Sequence, residues 1–323
     1  MKIAFCHHLS LSYNGGGEKW LANTAKYLAK RGHDVQVYAL PILMDGKHKS
    51  NPNEMLDGIP YKESFHSKVK ADVTYITYNP LSWLNFETKH PRIAGLHSHA
   101  YWQPPNLNYG LLPNIANLTN RFTSYFELRR YDAIHAVTDV YPINHPSVYH
   151  IPNYVDSEIY SPCNSHLRKY KIFTAAFASR QVWQKGWNMI PEVRRISKHS
   201  GIDVINSGDI PEHLMPMFYS NSHVTIVPSI VDTFGMSIIE SEMCETPVIT
   251  TNLDTHKSLG LNLKYADTVP EYVAALSELK AYWESDKQGY LKMASDCRKE
   301  AMKYDKKLIL SRLERMFKEV AQL

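Results

Sequence analysis

The chain has 323 residues, of which 44% are hydrophobic and 21% charged, with a formal net charge of +4. That length accommodates two domains, the composition is that of a soluble globular protein, and the mild charge is no nucleic-acid signature. No apolar run reaches transmembrane length, and Cys6, Cys163, Cys244 and Cys297 show neither metal-ligand spacing nor a disulfide framework, so free thiols in a reducing cytoplasm are expected.

The opening MKIAFCHHLS has one lysine and too short an apolar run for a signal peptide. Ile3 to Phe5 reads as a buried strand. Gly15-Gly16-Gly17 is a loop, and Glu18 to Lys30 is helical, with Leu21, Ala25, Leu28 and Ala29 on one face and Gly32 closing it. Val35, Val37 and Ala39 alternate as a strand. Further strands are expected at Val73 to Thr77, Arg92 to Leu96, Ala133 to Val137 and Val148 to Ile151, with a long helix from Pro113 to Arg130. Strands separated by helices predict a parallel, doubly wound α/β sheet. A polar connector, SPCNSHLRKYK, follows Ile151 to Asp156. Alternation then resumes at Ile172 to Ala178, Ile202 to Ile205, Val224 to Val227 and Val248 to Thr250. The last helix, Lys306 to Val320, carries Leu310, Leu313, Phe317 and Val320 on one face.

The stretch PSIVDTFGMSIIESEMCETPV, Pro228 to Val248, is strand end, polar loop, Phe234-Gly235 turn, helix and strand start. Asp232 precedes the turn and Glu240 lies about one turn into the helix. The Phe234, Gly235, Met236 and Ser237 amides are expected as free donors at the helix N-terminus, where phosphate is favoured. Helix side chains lean toward the N-terminus, so Glu240 faces the same ligand; a carboxylate there suits sugar hydroxyls. The pattern asks for a ligand with both phosphate and hydroxyls.

This stretch resembles the C-terminal signature of retaining GT-B glycosyltransferases, in particular glycosyltransferase family 4: Pro-Ser, a Glu, Phe-Gly, a second Glu, and Thr-Pro-Val. Asp232 stands where the first Glu is expected, and Glu245 where a Gly precedes Thr246. Ile151 to Asp156 is similar to the family's interdomain segment, with Tyr154 in place of Gly. Gly15-Gly16-Gly17-Glu18-Lys19 resembles its Gly-Gly-Ala-Glu-Arg loop; taken alone, a plain strand-to-helix turn explains those glycines equally well. The resemblance implies a GT-B fold: two Rossmann-like domains facing across a cleft, 1–156 for the acceptor and 157–305 for the nucleotide sugar, with 306–323 crossing back to the first. The second domain is short, and the family's Gly-Gly-Glu after Thr250 is replaced by NLDTHKSLG.

Activity and site are implied in the same way: a metal-independent, retaining transfer of a sugar from a nucleotide-diphosphate sugar to a glycan, lipid-linked or protein hydroxyl, with no cofactor. Arg180 and Lys185, converging from one loop, would hold the diphosphate and stabilise the departing nucleotide. Asp232 would contact the donor sugar and Glu240 the ribose, with Gly16, Gly17 and the Phe234 to Ser237 amides on phosphate or sugar oxygens. His97 falls at the family's active-site histidine. Gly15, His99, Tyr101 and Trp102 would meet the acceptor, although a solvent-facing loop for His99 and simple packing for the two aromatics account for them as well. His7 and His8 are expected to be structural, and Trp183 and Trp187 to pack. A His-x-His pair without an acidic or Cys partner nearby is no metal site. The basic run Arg298 to Lys307 reads as a solvated helix face, with peripheral contact to an anionic membrane as the alternative. Two other readings remain: a non-catalytic nucleotide-sugar or carbohydrate-binding subunit, supported by Asp232, Glu245 and the short second domain, and a sugar-nucleotide epimerase. A dinucleotide dehydrogenase lacks a full G-x-G-x-x-G in either half.

Overall fold

The computed structural model describes residues 1–13, 15–42, 56–97, 111–140, 143–163, 170–208 and 210–323. The chain divides into two compact units, Met1–Pro152 with Leu310–Leu323, and Asn153–Ile309.

The first unit is a parallel sheet of β1 (Lys2–His7), β2 (Asp34–Ala39), β3 (Tyr61–Glu63), β5 (Val73–Thr77), β7 (Arg92–Leu96), β8 (Ala133–Ala136) and β9 (Val148–His150), in the order β3-β2-β1-β5-β7-β8-β9. A small pair, β4 (Ser67–Val69) and β6 (Phe86–Thr88), lies apart from it. Every residue of β5 is buried, as befits a parallel strand covered on both faces. Helix α1 spans Gly16–Lys30 and α2 Leu111–Glu127. The glycine triplet is not all loop: α1 begins at Gly16, with Gly15 extended at its N-cap and the Glu18 carboxylate in its first turn, where negative charge is favoured.

The second unit repeats the plan with five parallel strands, β10 (Phe173–Phe177), β11 (Ile202–Asn206), β12 (Val224–Val227), β13 (Val248–Thr250) and β14 (Lys264–Tyr265), in the order β11-β10-β12-β13-β14. Helices α3 (Ile190–His199), α4 (Met215–Asn221), α5 (Met236–Met243), α6 (Asp254–Lys257), α7 (Val269–Ser285) and α8 (Lys287–Ala301) cover it. Its core joins Phe177, Ile226 and Ile249 of the strands to Val193 of α3 and Tyr272 and Leu276 of α7. Burying side chains of this size contributes roughly 1.5–3 kcal/mol each.

The final helix, α9 (Lys306–Val320), passes from one unit to the other. Leu310, Leu313, Phe317 and Val320, the predicted face, are at most 1% exposed, and Phe317 packs against Phe5 and Tyr75 of the first sheet. Glu314 fixes this helix against the end of α1, accepting from Tyr27, Arg31 and His33. Burial opposes its charge, but Lys318, His33 and Arg31 draw its carboxyl down to about 2.

In the basic run Arg298 to Lys307, Lys299, Lys303 and Lys307 are exposed, as a solvated face predicts, while Arg298 and Lys306 are half-buried. Arg298 donates to the carbonyls of Tyr160 and Met243, Lys303 to that of Gly260, and Lys306 and Lys307 pair with Asp156 and Glu158. The four cysteines are free thiols, Cys6, Cys244 and Cys297 buried and pushed up by burial. Among the described residues, no helix is long and apolar enough to cross a membrane.

Candidate functional site

In an open parallel sheet, ligands bind beyond the carboxyl ends of the strands where the strand order reverses. In the second unit that point falls between β10 and β12, and the loops after these strands carry Ser179 to Gly186 and Pro228 to Gly235. The carbonyl of Gln184 accepts the Ile230 and Val231 amides at 2.9 and 3.2 Å, which ties the two loops together. Gly186 permits that approach. It has φ +72°, and a Cβ there would lie 1.9 Å from the Pro228 carbonyl oxygen.

The result is an ion pair. Lys185 Nζ lies 2.8 Å from Asp232 Oδ2, which also accepts from Ser229 Oγ at 3.3 Å. His256, fully buried on α6, points Nε2 at the same oxygen from 3.6 Å, while its Nδ1 lies 2.8 Å from Thr250 Oγ1 and 3.2 Å from the Thr251 carbonyl. Thr255 Oγ1 donates to the Asp232 carbonyl. Burial opposes the Asp232 charge, but the His256 ring and the Lys185 ammonium outweigh it and hold the carboxyl well below the usual carboxylate range. Arg180 is exposed on the loop after β10.

Helix α5 follows directly, entered through Gly235 at φ +82°. Two of the four amides expected to be free are engaged: Gly235 and Phe234 point at Asp232 Oδ1, 3.3 and 3.5 Å away. The shorter Asp side chain folds back over its own turn, as Asx residues do. Met236 and Ser237 open the helix, at positions whose amides have no intrahelical acceptor. Glu240 is half-buried, and its Oε2 accepts from Tyr219 at 2.9 Å. Burial first, and Glu240 next, push the Tyr219 and Tyr160 phenols up, so both stay protonated beside that carboxylate.

In the first unit the reversal lies between β1 and β5, and the residues at those strand ends touch. His7 Nδ1 is 2.7 Å from Thr77 Oγ1, and His7 Nε2 is 2.7 Å from Glu18 Oε1. His7 is therefore structural, as expected, while holding the glycine turn in place through Glu18. Neighbouring His8 reaches Thr77 at 3.3 Å, and burial lowers it to about 4. One strand over, His97 Nε2 lies 2.7 Å from Tyr75 Oη, which is 2.6 Å from His135 Nδ1; His135 Nε2 meets the Ile151 carbonyl at 2.8 Å. A carbonyl only accepts, so His135 carries its proton on Nε2. Its Nδ1 then accepts from Tyr75, and Tyr75 accepts from His97 Nε2. In neutral His97 the lone pair is thereby fixed on Nδ1. Burial drives His135 down to about 4 and Tyr75 well up, which keeps the chain uncharged. Gly95 makes room for it, since a Cβ there would lie 2.1 Å from the Tyr75 hydroxyl.

The structure thus brings together Lys185, Asp232, Phe234, Gly235, Met236, Ser237 and Glu240 in the second unit. Gly15 to Gly17 and His97 lie at carboxyl-edge positions of the first. His99, Tyr101 and Trp102 lie outside the described residues. Trp187 packs against Phe177 as expected, whereas Trp183 is 38% exposed. Sequence reasoning missed His256, Tyr75 and His135, and named Glu18 only as part of the glycine-loop motif. A polar residue inside an apolar strand, as in Ala-Ile-His-Ala, was the available signal for His135. His256 had none, because it lies in the segment that departs from the family pattern. Among the described residues, no three His, Cys, Asp or Glu side chains group as metal ligands.

Two units of this architecture, with ligand-facing loops at each reversal point and a terminal helix returning to the first sheet, define a GT-B fold. Comparison with solved structures agrees over nearly the whole chain. HepE of Anabaena in complex with UDP superposes with TM-score 0.73 at 16% identity, covering 99% of this chain and 100% of that one. Sucrose-phosphate synthase from Thermosynechococcus elongatus gives 0.72 at 14% identity, covering 99% and 98%. A glycosyltransferase from Rickettsia africae gives 0.72 at 14%, with 99% and 98% covered. Residues 188–304, within the second unit, match the family described as Glycosyl transferases group 1. No curated protein matches the chain in sequence.

Proposed function

We propose that the protein is a metal-independent, retaining glycosyltransferase of the family 4 type that uses a nucleotide-diphosphate sugar. The observation that carries this reading is the entry to α5: Asp232 pairs with the Lys185 ammonium and meets the Gly235 amide, the helix opens at Met236 and Ser237, and Glu240 follows one turn on. Amides and a cation suit a diphosphate, and a carboxylate one turn away suits ribose hydroxyls. The HepE complex with UDP-glucose, on the same fold, supports a donor of this class.

On transfer, the bond between the anomeric carbon and the β-phosphate oxygen breaks. The acceptor oxygen bonds to that carbon from the same face, and its proton passes to the leaving phosphate. Negative charge grows on the diphosphate as the bond breaks, so Lys185, Arg180 and the α5 N-terminus lower the barrier without a metal. Asp232 Oδ2 is taken by Lys185 and Ser229, whereas among the described residues Oδ1 meets only the two long amide contacts. Oδ1 is therefore the oxygen that receives a donor-sugar hydroxyl. His97, with its lone pair on Nδ1, and the Gly15 to Gly17 turn serve the acceptor side.

Prior engagement of Asp232 also favours a second reading, a subunit that binds a nucleotide sugar without transferring it. Release of nucleoside diphosphate from UDP-, GDP-, ADP- and dTDP-sugars in the presence of a glycan mixture separates the two. Transfer predicts acceptor-dependent release, with the product keeping the donor's anomeric configuration by NMR. Arg180→Ala and Lys185→Ala should each lower turnover by about 10- to 1000-fold while the fold is retained, and Glu240→Ala should weaken donor binding. Unchanged turnover in all three variants would remove the site assignment; binding without release would establish the second reading.

A further inference from the structure

Among its described side chains, helix α2 is amphipathic in the wrong sense for a helix that only covers a sheet. Its packed side carries Ser124, fully buried, and Glu127, 7% exposed, whose carboxylate accepts from Tyr78 Oη and the Leu81 amide. On the opposite side Ile115, Leu118, Phe122, Tyr125 and Phe126 are 45–67% exposed. These five fall within about 100° of the helix circumference, so they form one continuous stripe. Phe126 contacts both Phe122 and Tyr125 edge-on, at 5.2 and 5.3 Å between ring centres. Leu81 and Leu84, on the turn held by Glu127, are 55% and 53% exposed. Apolar side chains in water at this density mark an interaction surface rather than scatter.

The charges around the stripe identify the occupant. With Glu127 buried, the exposed charges of α2 and the turn after it are Arg121, Arg129 and Arg130. Arg129 lies over the Tyr125 ring at 4.8 Å and donates to its hydroxyl, and Arg130 lies over Trp83 at 4.5 Å. Apolar and aromatic side chains on one face, flanked by arginines whose stems lie along rings, is the pattern of a helix lying in a bilayer interface. A stable protein partner needs roughly 20–30 residues a side, and this stripe falls well short of that.

We propose that this face docks the protein peripherally on an anionic lipid bilayer, with Phe122 and Phe126 inserted and Arg121, Arg129 and Arg130 at the headgroups. The proposal is independent of the catalytic reading. It moves membrane contact away from the basic run near Arg298, whose cations are taken up by carbonyls and carboxylates.

The test is co-sedimentation of the full chain with vesicles of phosphatidylcholine alone or mixed with phosphatidylglycerol. Binding is expected to the anionic vesicles only and to weaken with salt. Phe122→Ser with Phe126→Ser should reduce it by at least about tenfold, and Arg121→Gln or Arg129→Gln by about fivefold each. Unaltered thermal melting of these surface variants checks that they fold. Absence of binding to both vesicle types, or binding unaffected by the phenylalanine pair, overturns the proposal. A dimer in solution that the phenylalanine pair dissolves, without vesicle binding, overturns it in favour of a second copy of the chain.

Discussion

Glu242 is fully buried on α5, and neither of its carboxylate oxygens has a hydrogen-bond partner among the described residues. Burial, reinforced by Glu300 and only partly offset by Lys303, pushes this carboxyl well above its ordinary value. The fold therefore holds it neutral, and the sign of the linkage follows. The native state keeps a proton that the unfolded chain releases above about pH 4.3. The stability contributed by protonated Glu242 is thus complete below that pH and is lost as pH rises toward the native value, by about 1.4 kcal/mol per unit. Relative to wild type, Glu242→Gln should leave stability at pH 4 nearly unchanged and raise it progressively as pH climbs above about 5, as measured by denaturant unfolding. A difference between variant and wild type that does not vary with pH would contradict this assignment. Asp232 is the opposite case: largely shielded, but kept charged by His256 and Lys185. The contrast shows that a partner, not burial alone, decides whether a shielded carboxylate keeps its charge.

At the scale of elements, α5 ends on a residue ill suited to its place. Glu245 has φ +55°, the left-handed conformation in which helices commonly terminate on glycine. Glu245→Gly should stabilise the protein by about 1 kcal/mol, read as a higher melting temperature with donor affinity unchanged; a lower one would mean that the Glu245 side chain contributes more than its backbone costs. The same helix shows what was legible in the sequence. Its start at Met236, its end near Thr246 and its glycine entry followed from punctuation and periodicity, as did the strands Val73–Thr77, Arg92–Leu96 and Val224–Val227 and the final helix. Short edge elements such as β3 and β14 were not legible, because two or three residues carry no period. Helix α7 carries a capping box of Thr268 and Glu271, a signal the periodicity reading passed over. In the site, residue types and spacing pointed to Lys185, Asp232 and Glu240, but not to which partners each would take. Asp232 turns onto the Phe234 and Gly235 amides, as an Asx side chain can. The relay from His97 through Tyr75 to His135 joins three strands whose adjacency only the sheet order reveals.

For the whole molecule, two parallel sheets each present a loop cluster at the point where strand order reverses, and the second unit holds the groups suited to a nucleotide diphosphate. Donor recognition by the first turn of α5 with Lys185 and Glu240 is the central claim. It is tested most directly by thermal stability against UDP-, GDP-, ADP- and dTDP-sugars, with the free nucleotides as controls, in wild type and in Glu240→Ala. A donor at a hundred times its dissociation constant should stabilise the fold by about 2.7 kcal/mol. The account predicts a shift with one nucleotide family that is lost or strongly reduced in Glu240→Ala. No shift with any nucleotide, or an equal shift in both proteins, would contradict it.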